Sequence, residues 1–403
     1  MSPRTEPAFL LGAGFSQPAG LPLSRDLTEL MLDRARGSYA HALNYVVGQV
    51  IAHDARAGAS PSLMPNVERV ASAVKLLATR RELEIAPFIS AWDSTVDALD
   101  AQPPKITHVT RNKVRRALGL DNSRPAGQPR LNEFLSALED VLRQSSQPEP
   151  RRIFEGILNQ MVRELSALLT LPADADLSYL GPFAQWLTAV EGPVTIATLN
   201  YDLVLEACLE PSPVTLSTGI SDWGATGSLD FKSAKIELLK LHGSLSWQEK
   251  FVGNLNRAGL QDDGGPAESP LLVFGQREKL QPQGPFLQLL EKFRESISRT
   301  HDIVVIGYGF GDEHINFVLE QWVEGAPGRR LTIVDPGFDA RREHWLSLRG
   351  RLLRAPNAGS IVRFLRVGAE AFLERLHADG LESVLSASPT ELESLETFDH
   401  PYG

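Results

Sequence analysis

The stretch of sequence that decides the fold reads Phe9-Leu10-Leu11-Gly12-Ala13-Gly14-Phe15-Ser16. A run typical of a buried strand ends here in two closely spaced glycines, and the periodicity of an amphipathic helix begins near Ser24. A strand, a glycine turn and a helix in this order are typical of the phosphate-binding edge of a doubly wound α/β sheet. Glycine suits such a turn because a Cβ would hold the backbone away from the phosphates.

Further strand patterns follow the first one at a long distance. With the first one at 7–11, strands are predicted at 194–199, 236–241, 271–274, 303–306, 331–334 and 362–365. Helical patterns at 286–298 and 314–322 supply the crossovers that parallel strands require. The Gly- and Asp-rich segment 253–270 predicts a surface loop. We therefore predict an α/β fold with a Rossmann-like doubly wound parallel sheet.

The long interval between the first two strand patterns has helical periodicity almost throughout, so the sequence predicts a large all-helical insertion. The predicted domains are a Rossmann-like domain at 1–37 and 187–375, the helical insertion at 38–186, and an acidic C-terminal tail at 376–403. Within the insertion, 102–130 is rich in Lys and Arg. This segment is either a solvated surface or an arm that binds phosphate or a partner.

Composition excludes several classes of function. A net charge of −10 argues against general nucleic-acid binding, which needs a basic surface. The single cysteine, Cys208, excludes an internal disulfide framework and a multi-cysteine zinc site, and we expect no metal. No apolar run of membrane-spanning length and no signal-peptide pattern occur, so we expect a cytoplasmic protein without a membrane segment.

Three polar motifs follow later strand patterns. They are Thr198-Leu199-Asn200-Tyr201-Asp202, Lys240-Leu241-His242-Gly243-Ser244 and Gly307-Tyr308-Gly309-Phe310-Gly311-Asp312. Because the carboxyl ends of parallel strands meet at one edge of a sheet, we expect these motifs to converge on the first glycine turn.

In this order, the first glycine turn and the next two motifs resemble the GAG-x-S, T-x-N-x-D and HG motifs of the sirtuin superfamily. The segment 307–316 is similar to one typical of its prokaryotic, sirtuin-like defence branch. Protein-deacylating sirtuins carry two CxxC pairs after the HG motif, whereas this chain has no cysteine there. The resemblance therefore points to the zinc-independent, sirtuin-like NAD glycohydrolases of bacterial anti-phage systems.

That resemblance implies an enzyme that hydrolyses NAD to nicotinamide and ADP-ribose during abortive infection. It also implies a homo-oligomer, and a HerA-type ATPase as a partner in one subgroup. In NAD the leaving nicotinamide is already a pyridinium and departs neutral, so no general acid is required. What is required is a polar group for the ribose hydroxyls and a positioned water.

Asn200 and His242 fit these needs, and the predicted catalytic residues are Asn200, His242 and Asp202. In the resembling family an aspartate at the position of Asp202 grips the carboxamide, but Asp202 would also cap the helix that follows. The predicted NAD-binding residues form a larger set. They are Gly12, Ala13, Gly14, Phe15, Ser16, Gly243, Ser244, Gly307, Gly309, Asp312 and Asp335. For Asp312, a helix N-cap is the structural alternative.

Two other classes of function remain to be weighed. A hydride-transferring dehydrogenase is disfavoured, because Gln17 stands where the third glycine of its fingerprint belongs. A catalytically silent sensor of NAD or ADP-ribose needs only the glycines and the polar turns. The pair of Asn200 and His242 favours the enzyme, because a sensor has no use for it.

Overall fold

The computed structural model describes residues 6–58, 60–86, 94–100, 112, 152–221, 223–231, 234–252, 257–262, 264–267, 270, 272, 284–338, 348–354 and 361–386. The basic segment 102–130, apart from Asn112, lies outside this set, as do most of the predicted strand 271–274 and residues 387–403. The chain divides into two compact units. Unit 1 comprises Met1–Asp33, Ser62–Ala71 and Met161–Gly403, and unit 2 comprises Arg34–Pro61 and Ser72–Gln160.

Unit 1 is built on a seven-stranded sheet. Its strands are β1 (Ala8–Leu11), β2 (Val194–Thr198), β3 (Leu216–Ser217), β4 (Ile236–Lys240), β7 (Asp302–Ile306), β8 (Arg330–Val334) and β9 (Ile361–Leu365), and a separate antiparallel hairpin is formed by β5 (Trp247–Val252) and β6 (Arg257–Asp262). The sheet order is β3-β4-β2-β1-β7-β8-β9, and every pair is parallel. The predicted doubly wound sheet is confirmed, and its strand order reverses direction between β1 and β7.

The hairpin differs from the sequence prediction. Strand β6 lies inside 253–270, where the composition predicted a loop. Its backbone pairs with β5 from Trp247 opposite Asp262 to Val252 opposite Arg257. Pairing with a neighbouring strand can override the low strand propensity of Gly and Asp, and propensity alone does not reveal such pairing.

The helices of both units are numbered in chain order. They are α1 (Ala13–Ser16), α2 (Ser24–Arg34), α3 (Gly37–Arg56), α4 (Val67–Ala78), α5 (Ser94–Asp100), α6 (Ile153–Leu169), α7 (Gly181–Ala189), α8 (Val204–Leu209), α9 (Trp223–Thr226), α10 (Phe286–Ser298), α11 (Glu313–Gly325), α12 (Leu348–Arg354) and α13 (Ala369–Ser386). In the described part of 38–186 the regular structure is helical, as the sequence predicted. No described helix is both long and apolar enough to span a bilayer.

Two apolar cores cover the two faces of the sheet, because successive residues of a strand point to opposite sides. In β1, Leu10 faces the core that includes Phe293 of α10, and Phe9 faces the core that includes Phe183 of α7. Helix α13 closes the second core and runs past the predicted tail boundary at 376. Leu376 and Val384 are buried on either side of a break at Gly380, so the residues up to 386 are part of unit 1.

Unit 2 is helical and has a buried ion pair. The guanidinium of Arg80 is 2% exposed and lies 2.9 Å from the carboxylate of Asp100, the last residue of α5. The other oxygen of Asp100 accepts the amide of Ile153 at 3.0 Å, at the start of α6. The Phe154 ring lies 5.6 Å from the Arg80 guanidinium carbon. This pair joins the start of α6 to α5 and to the turn that follows α4.

Candidate functional site

The two glycine turns that follow β1 and β7 pack backbone against backbone. The amide of Gly12 donates to the carbonyl of Ile306 at 2.9 Å, and that of Gly14 to the carbonyl of Gly307 at 3.0 Å. A Cβ on Gly12 would lie 2.6 Å from the carbonyl oxygen of Gly307. These glycines are therefore required by contact between the two turns, and both amides already have protein acceptors. A Cβ on Gly309 would meet no atom within 4 Å, so no such contact explains that glycine.

Asn200 is anchored to the first glycine turn. Its Nδ2 atom donates to the carbonyl of Gly12 at 2.9 Å and to Oγ of Ser16 at 3.1 Å. The Gly12 carbonyl can only accept, so the orientation of the amide is fixed and Oδ1 is the atom offered as an acceptor to a ligand. The Ser16 hydroxyl in turn hydrogen-bonds to Asp202. One chain of hydrogen bonds thus links the ends of β1 and β2.

Asp202 is buried and lies just before α8. Its Oδ1 atom accepts the amide of Val204 at 3.1 Å, at the first residue of α8. Burial raises the pKa of this carboxyl above its ordinary value, although Lys240 and the hydrogen bonds from Val204 and Ser16 oppose the rise. The N-cap position of α8 is Leu203, so Asp202 accepts the first helical amide from one residue before the cap. A role for Asp202 toward a ligand stays a prediction.

Lys240 is a structural residue of the site to which the sequence analysis assigned no role. Its ammonium group is fully buried and donates to the backbone carbonyl of Asp202 at 2.5 Å and to Glu206 at 2.7 Å. It thereby fixes the loop between β2 and α8 from the neighbouring strand. The available signal was a lysine inside the apolar run of β4, since a lysine is seldom fully buried unless it is paired.

His242 lies between two carboxylates. Its Nε2 atom is 2.8 Å from Oδ2 of Asp312, and its Nδ1 atom is 3.1 Å from Oε1 of Glu68. The other oxygen of Asp312 accepts the amides of His314 and Ile315, so Asp312 is also the N-cap of α11. The structure thus places Asp312 against the predicted catalytic histidine and gives it the capping role that was the alternative.

Tyr308 fixes the backbone of Asp312. The hydroxyl of Tyr308 accepts the amide of Asp312 at 3.0 Å and lies 3.1 Å from the carbonyl of the same residue. Burial and the nearby Asp312 carboxylate raise the pKa of Tyr308 well above its usual range, so the phenol stays protonated. A neutral hydroxyl can serve as donor and acceptor at once, which this arrangement needs.

A small pocket opens at the carboxyl ends of β1 and β2. Its lining residues are Ala13, Ser16, Leu21, Pro22, Ser24, Leu27, Val67, Glu68, Leu169, Leu199, Asn200, Tyr201 and Asp202. Ala13, Ser16, Asn200 and Asp202 were predicted from the sequence, whereas Glu68 was not. No local signal marks Glu68, because it lies 174 residues from its partner His242 in the chain.

Three further predicted NAD-binding residues, Phe15, Gly243 and Ser244, have roles within the fold. Phe15 is buried, and its carbonyl accepts the hydroxyl of Tyr179 at 2.8 Å. Gly243 has a left-handed φ of +96°. The Ser244 hydroxyl is buried 3.0 Å from that of Ser246. For these three, binding to a ligand stays a prediction.

Asp335 lies farther along the sheet edge, after β8. Its carboxylate forms an ion pair with Arg349 and accepts the amide of Gly337 at 3.0 Å. The guanidinium carbon of Arg349 lies 5.1 Å from the ring centre of Phe310, whose φ of +58° is left-handed. Asp335 is not among the residues that line the described pocket, and its predicted contact with a ribose hydroxyl stays a prediction.

Fold and site together define a doubly wound α/β protein with a pocket, lined by apolar and polar side chains, at the carboxyl ends of its strands. Residues 194–351 match the profile of a protein family described as SIR2-like domain. This match contains Asn200, Asp202, His242, Asp312 and Asp335.

Two solved structures of Sir2 homologues are similar to the chain. The first is a mutant in complex with 2′-O-acetyl ADP-ribose, with 12% sequence identity, 94% of this chain and 93% of that chain covered, and a TM-score of 0.36. The second is a complex with NAD, with 12% identity, 94% and 90% coverage, and a TM-score of 0.32. No curated protein matches the sequence. Among the described residues, no group of three or more His, Cys, Asp or Glu side chains could hold a metal ion.

Proposed function

We propose that this protein hydrolyses NAD to nicotinamide and ADP-ribose in the pocket beside β1 and β2. The observation that carries this proposal is the position of Asn200. Its amide is fixed by Gly12 and Ser16 at the wall of a pocket that also exposes Glu68, the hydrogen-bonding partner of His242.

The chemistry of the bond favours such a site. The leaving nicotinamide departs neutral, so the protein has to stabilise positive charge on the ribose and supply a water. The Oδ1 atom of Asn200 is the acceptor that would position this water or a ribose hydroxyl. The carboxylates around His242 would supply the negative charge. Asp202, at the same pocket, would bind the carboxamide of the substrate.

The test is mass analysis of NAD after incubation with the purified protein. We expect release of nicotinamide and ADP-ribose without added metal. Asn200→Ala and His242→Ala should each lower the rate by about 10²-fold or more, because each removes a positioned polar group. His301→Ala is the matched control, since His301 is exposed at the opposite end of β7. Folded variants that both keep the wild-type rate would disprove the assignment, and binding of NAD without nicotinamide release would favour the sensor.

We further propose that this activity serves a bacterial anti-phage system as an abortive-infection effector. The proposal is supported by the motifs that resemble the sirtuin-like defence branch, and it includes a homo-oligomer and a HerA-type ATPase partner. An unrestrained NAD hydrolase would exhaust the cofactor of its own cell, so the resting protein has to be restrained. A partner that prefers the open form would shift the population toward activity.

Size measurement of the purified protein, and nicotinamide release with and without the ATPase, test this restraint. A chain ending at Ser386 is the suitable truncation, because the helical segment Ala369–Ser386, which is broken at Gly380, ends there. A fully active monomer that neither the partner nor the truncation affects would contradict the proposal.

A further inference from the structure

The pocket that holds Asn200 has an acidic side chain on its other wall. Glu68 is the second residue of α4 and lines the pocket, with its side chain 27% exposed. It comes from the short segment Ser62–Ala71, which belongs to unit 1 together with the sheet. The carboxylate is therefore part of the same folded unit as the motif residues.

The Glu68 carboxylate is held by two side chains. Its Oε1 atom lies 3.1 Å from Nδ1 of His242 and 3.4 Å from the hydroxyl of Tyr201. Burial, together with the negative charge of Glu68, raises the pKa of Tyr201 well above its ordinary value, so the phenol remains a donor. Two donors directed at one oxygen restrict the rotamers of a side chain that would otherwise be free to swing at the pocket wall.

His242 lies behind Glu68 as seen from the pocket. The side chain of His242 is 3% exposed and that of Asp312 is also 3% exposed, whereas Glu68 is 27% exposed. His242 is not among the residues that line the described pocket. A molecule in this pocket therefore meets the carboxylate of Glu68 before it meets the imidazole.

The hydrogen-bond count assigns a charge to this group. Both ring nitrogens of His242 face carboxylate oxygens, which only accept unless they are protonated. Either both ring nitrogens of His242 carry a proton, or one ring nitrogen is unprotonated and the carboxyl group that faces it carries the proton. In either form, two carboxyl groups and one imidazole with a single extra proton have a net charge of −1. When the proton is on the imidazole, Glu68 is a carboxylate, and it is the member of the group that faces the pocket.

We propose that Glu68 is the catalytic carboxylate of the proposed NAD hydrolysis, on which this inference rests, and that His242, Asp312 and Tyr201 are residues that position it. Glu68 accepts a hydrogen bond from the attacking water and places negative charge beside the ribose carbon as that carbon becomes cationic. The bond from C1′ to the nicotinamide nitrogen breaks, and its electron pair stays on the nicotinamide. The water oxygen forms the new bond to C1′, and its proton passes to Glu68 and then to solvent.

The decisive variant is Glu68→Gln, which keeps the shape of the side chain and removes its charge. We expect nicotinamide release to fall by about 10²-fold or more, as for loss of a catalytic base. Binding of carbocyclic NAD, an analogue that cannot be hydrolysed, should change by less than about threefold, because the transition state needs this charge more than the ground state does. Glu29→Gln, an exposed glutamate on α2, is the matched control and should keep the wild-type rate.

A second variant separates a catalytic role from a structural one. Glu68→Ala should be similarly slow, and added formate should restore part of the rate, because a small carboxylate can occupy the vacated space. A wild-type rate in Glu68→Gln, or the absence of formate rescue in a folded Glu68→Ala, would overturn the role of Glu68 and leave the proposed hydrolysis intact. A wild-type protein that binds carbocyclic NAD but never releases nicotinamide from NAD would overturn the proposed function itself.

Discussion

Gly14 and Gly307 are in direct backbone contact across the ends of β1 and β7. The Gly14 amide donates to the Gly307 carbonyl at 3.0 Å, and a Cβ on Gly307 would lie 2.5 Å from the Gly14 Cα atom. Gly307 also has a left-handed φ of +65°. Two glycine motifs that lie almost 300 residues apart in the chain therefore form one structural unit beside the pocket.

Gly307→Ala should strongly destabilise the protein. The added Cβ strains the left-handed backbone and pushes against main-chain atoms that cannot rotate away, so we expect a loss of about 3 kcal/mol or more. Urea unfolding of unit 1 measures this loss in the free energy of unfolding. Gly309→Ala is the control, because a Cβ there would meet no atom within 4 Å. Equal stability of the two variants would contradict the packing argument.

The sheet could be predicted from the sequence because its signals are local. Each strand between β1 and β9 that carries a site motif is a short apolar run followed by polar or glycine residues. The short strand β3 (Leu216–Ser217) and the hairpin were missed. Neither has a distinctive pattern of its own, and both depend on pairing with a neighbouring strand.

The site could be predicted only in part. Asn200 and His242 stand in recognisable motifs, but the contact of His242 with Glu68 joins positions that share no local pattern. The first two glycines illustrate a different gap. The sequence suggested that Gly12 and Gly14 make room for phosphates, whereas their closest structural requirement is contact with the turn after β7. A sequence motif can indicate that a position requires glycine, but it does not show which atoms pack against that glycine.

Asn200→Asp should impair both stability and NAD turnover. The change puts a carboxylate oxygen where Nδ2 now donates to the Gly12 carbonyl at 2.9 Å, so two acceptors would face each other. We expect a loss of about 1–3 kcal/mol in unfolding free energy and about 10²-fold in rate. Asn44→Asp is a close control, because Nδ2 of Asn44 donates to the carbonyl of Ala40 at an exposed site. Comparable losses in the two variants would argue against a special role of the buried contact.

Lys240→Met should destabilise the loop that carries Asn200 and Asp202. The substitution removes the buried ammonium and leaves the Asp202 carbonyl and the Glu206 carboxylate without this donor. The Asp202 carbonyl is buried but Glu206 is 21% exposed, so we expect a loss of about 1–3 kcal/mol. Lys292→Met tests the same change at a partly exposed pair with Glu237 and should cost less than about 1 kcal/mol. Chemical denaturation measures the unfolding free energy of both variants. A small loss in Lys240→Met would mean that the loop between β2 and α8 does not depend on Lys240.

Asp202→Asn should make the protein more stable at neutral pH and should slow it as an enzyme. Burial raises the pKa of Asp202 in the folded state above the value of 3.8 expected for an ordinary aspartate. As pH increases, the unfolded chain therefore loses this proton first, and stability decreases until the folded-state pKa has been passed. Above that point the ionised carboxylate costs stability in full, whereas an asparagine has no such cost and its Oδ1 can still accept the Val204 amide.

The stability difference between Asp202→Asn and wild type should therefore vanish below about pH 3 and grow with pH to a plateau. Urea midpoints measured from pH 3 to pH 8 test this, with Asp174→Asn at an exposed position as the control that should show no such trend. A gain in stability combined with a loss of NAD turnover is the pattern expected of a group kept for function rather than for folding. If the variant is less stable than wild type at pH 8, the carboxylate is there for its hydrogen bonds, and the case for its role toward the substrate is lost.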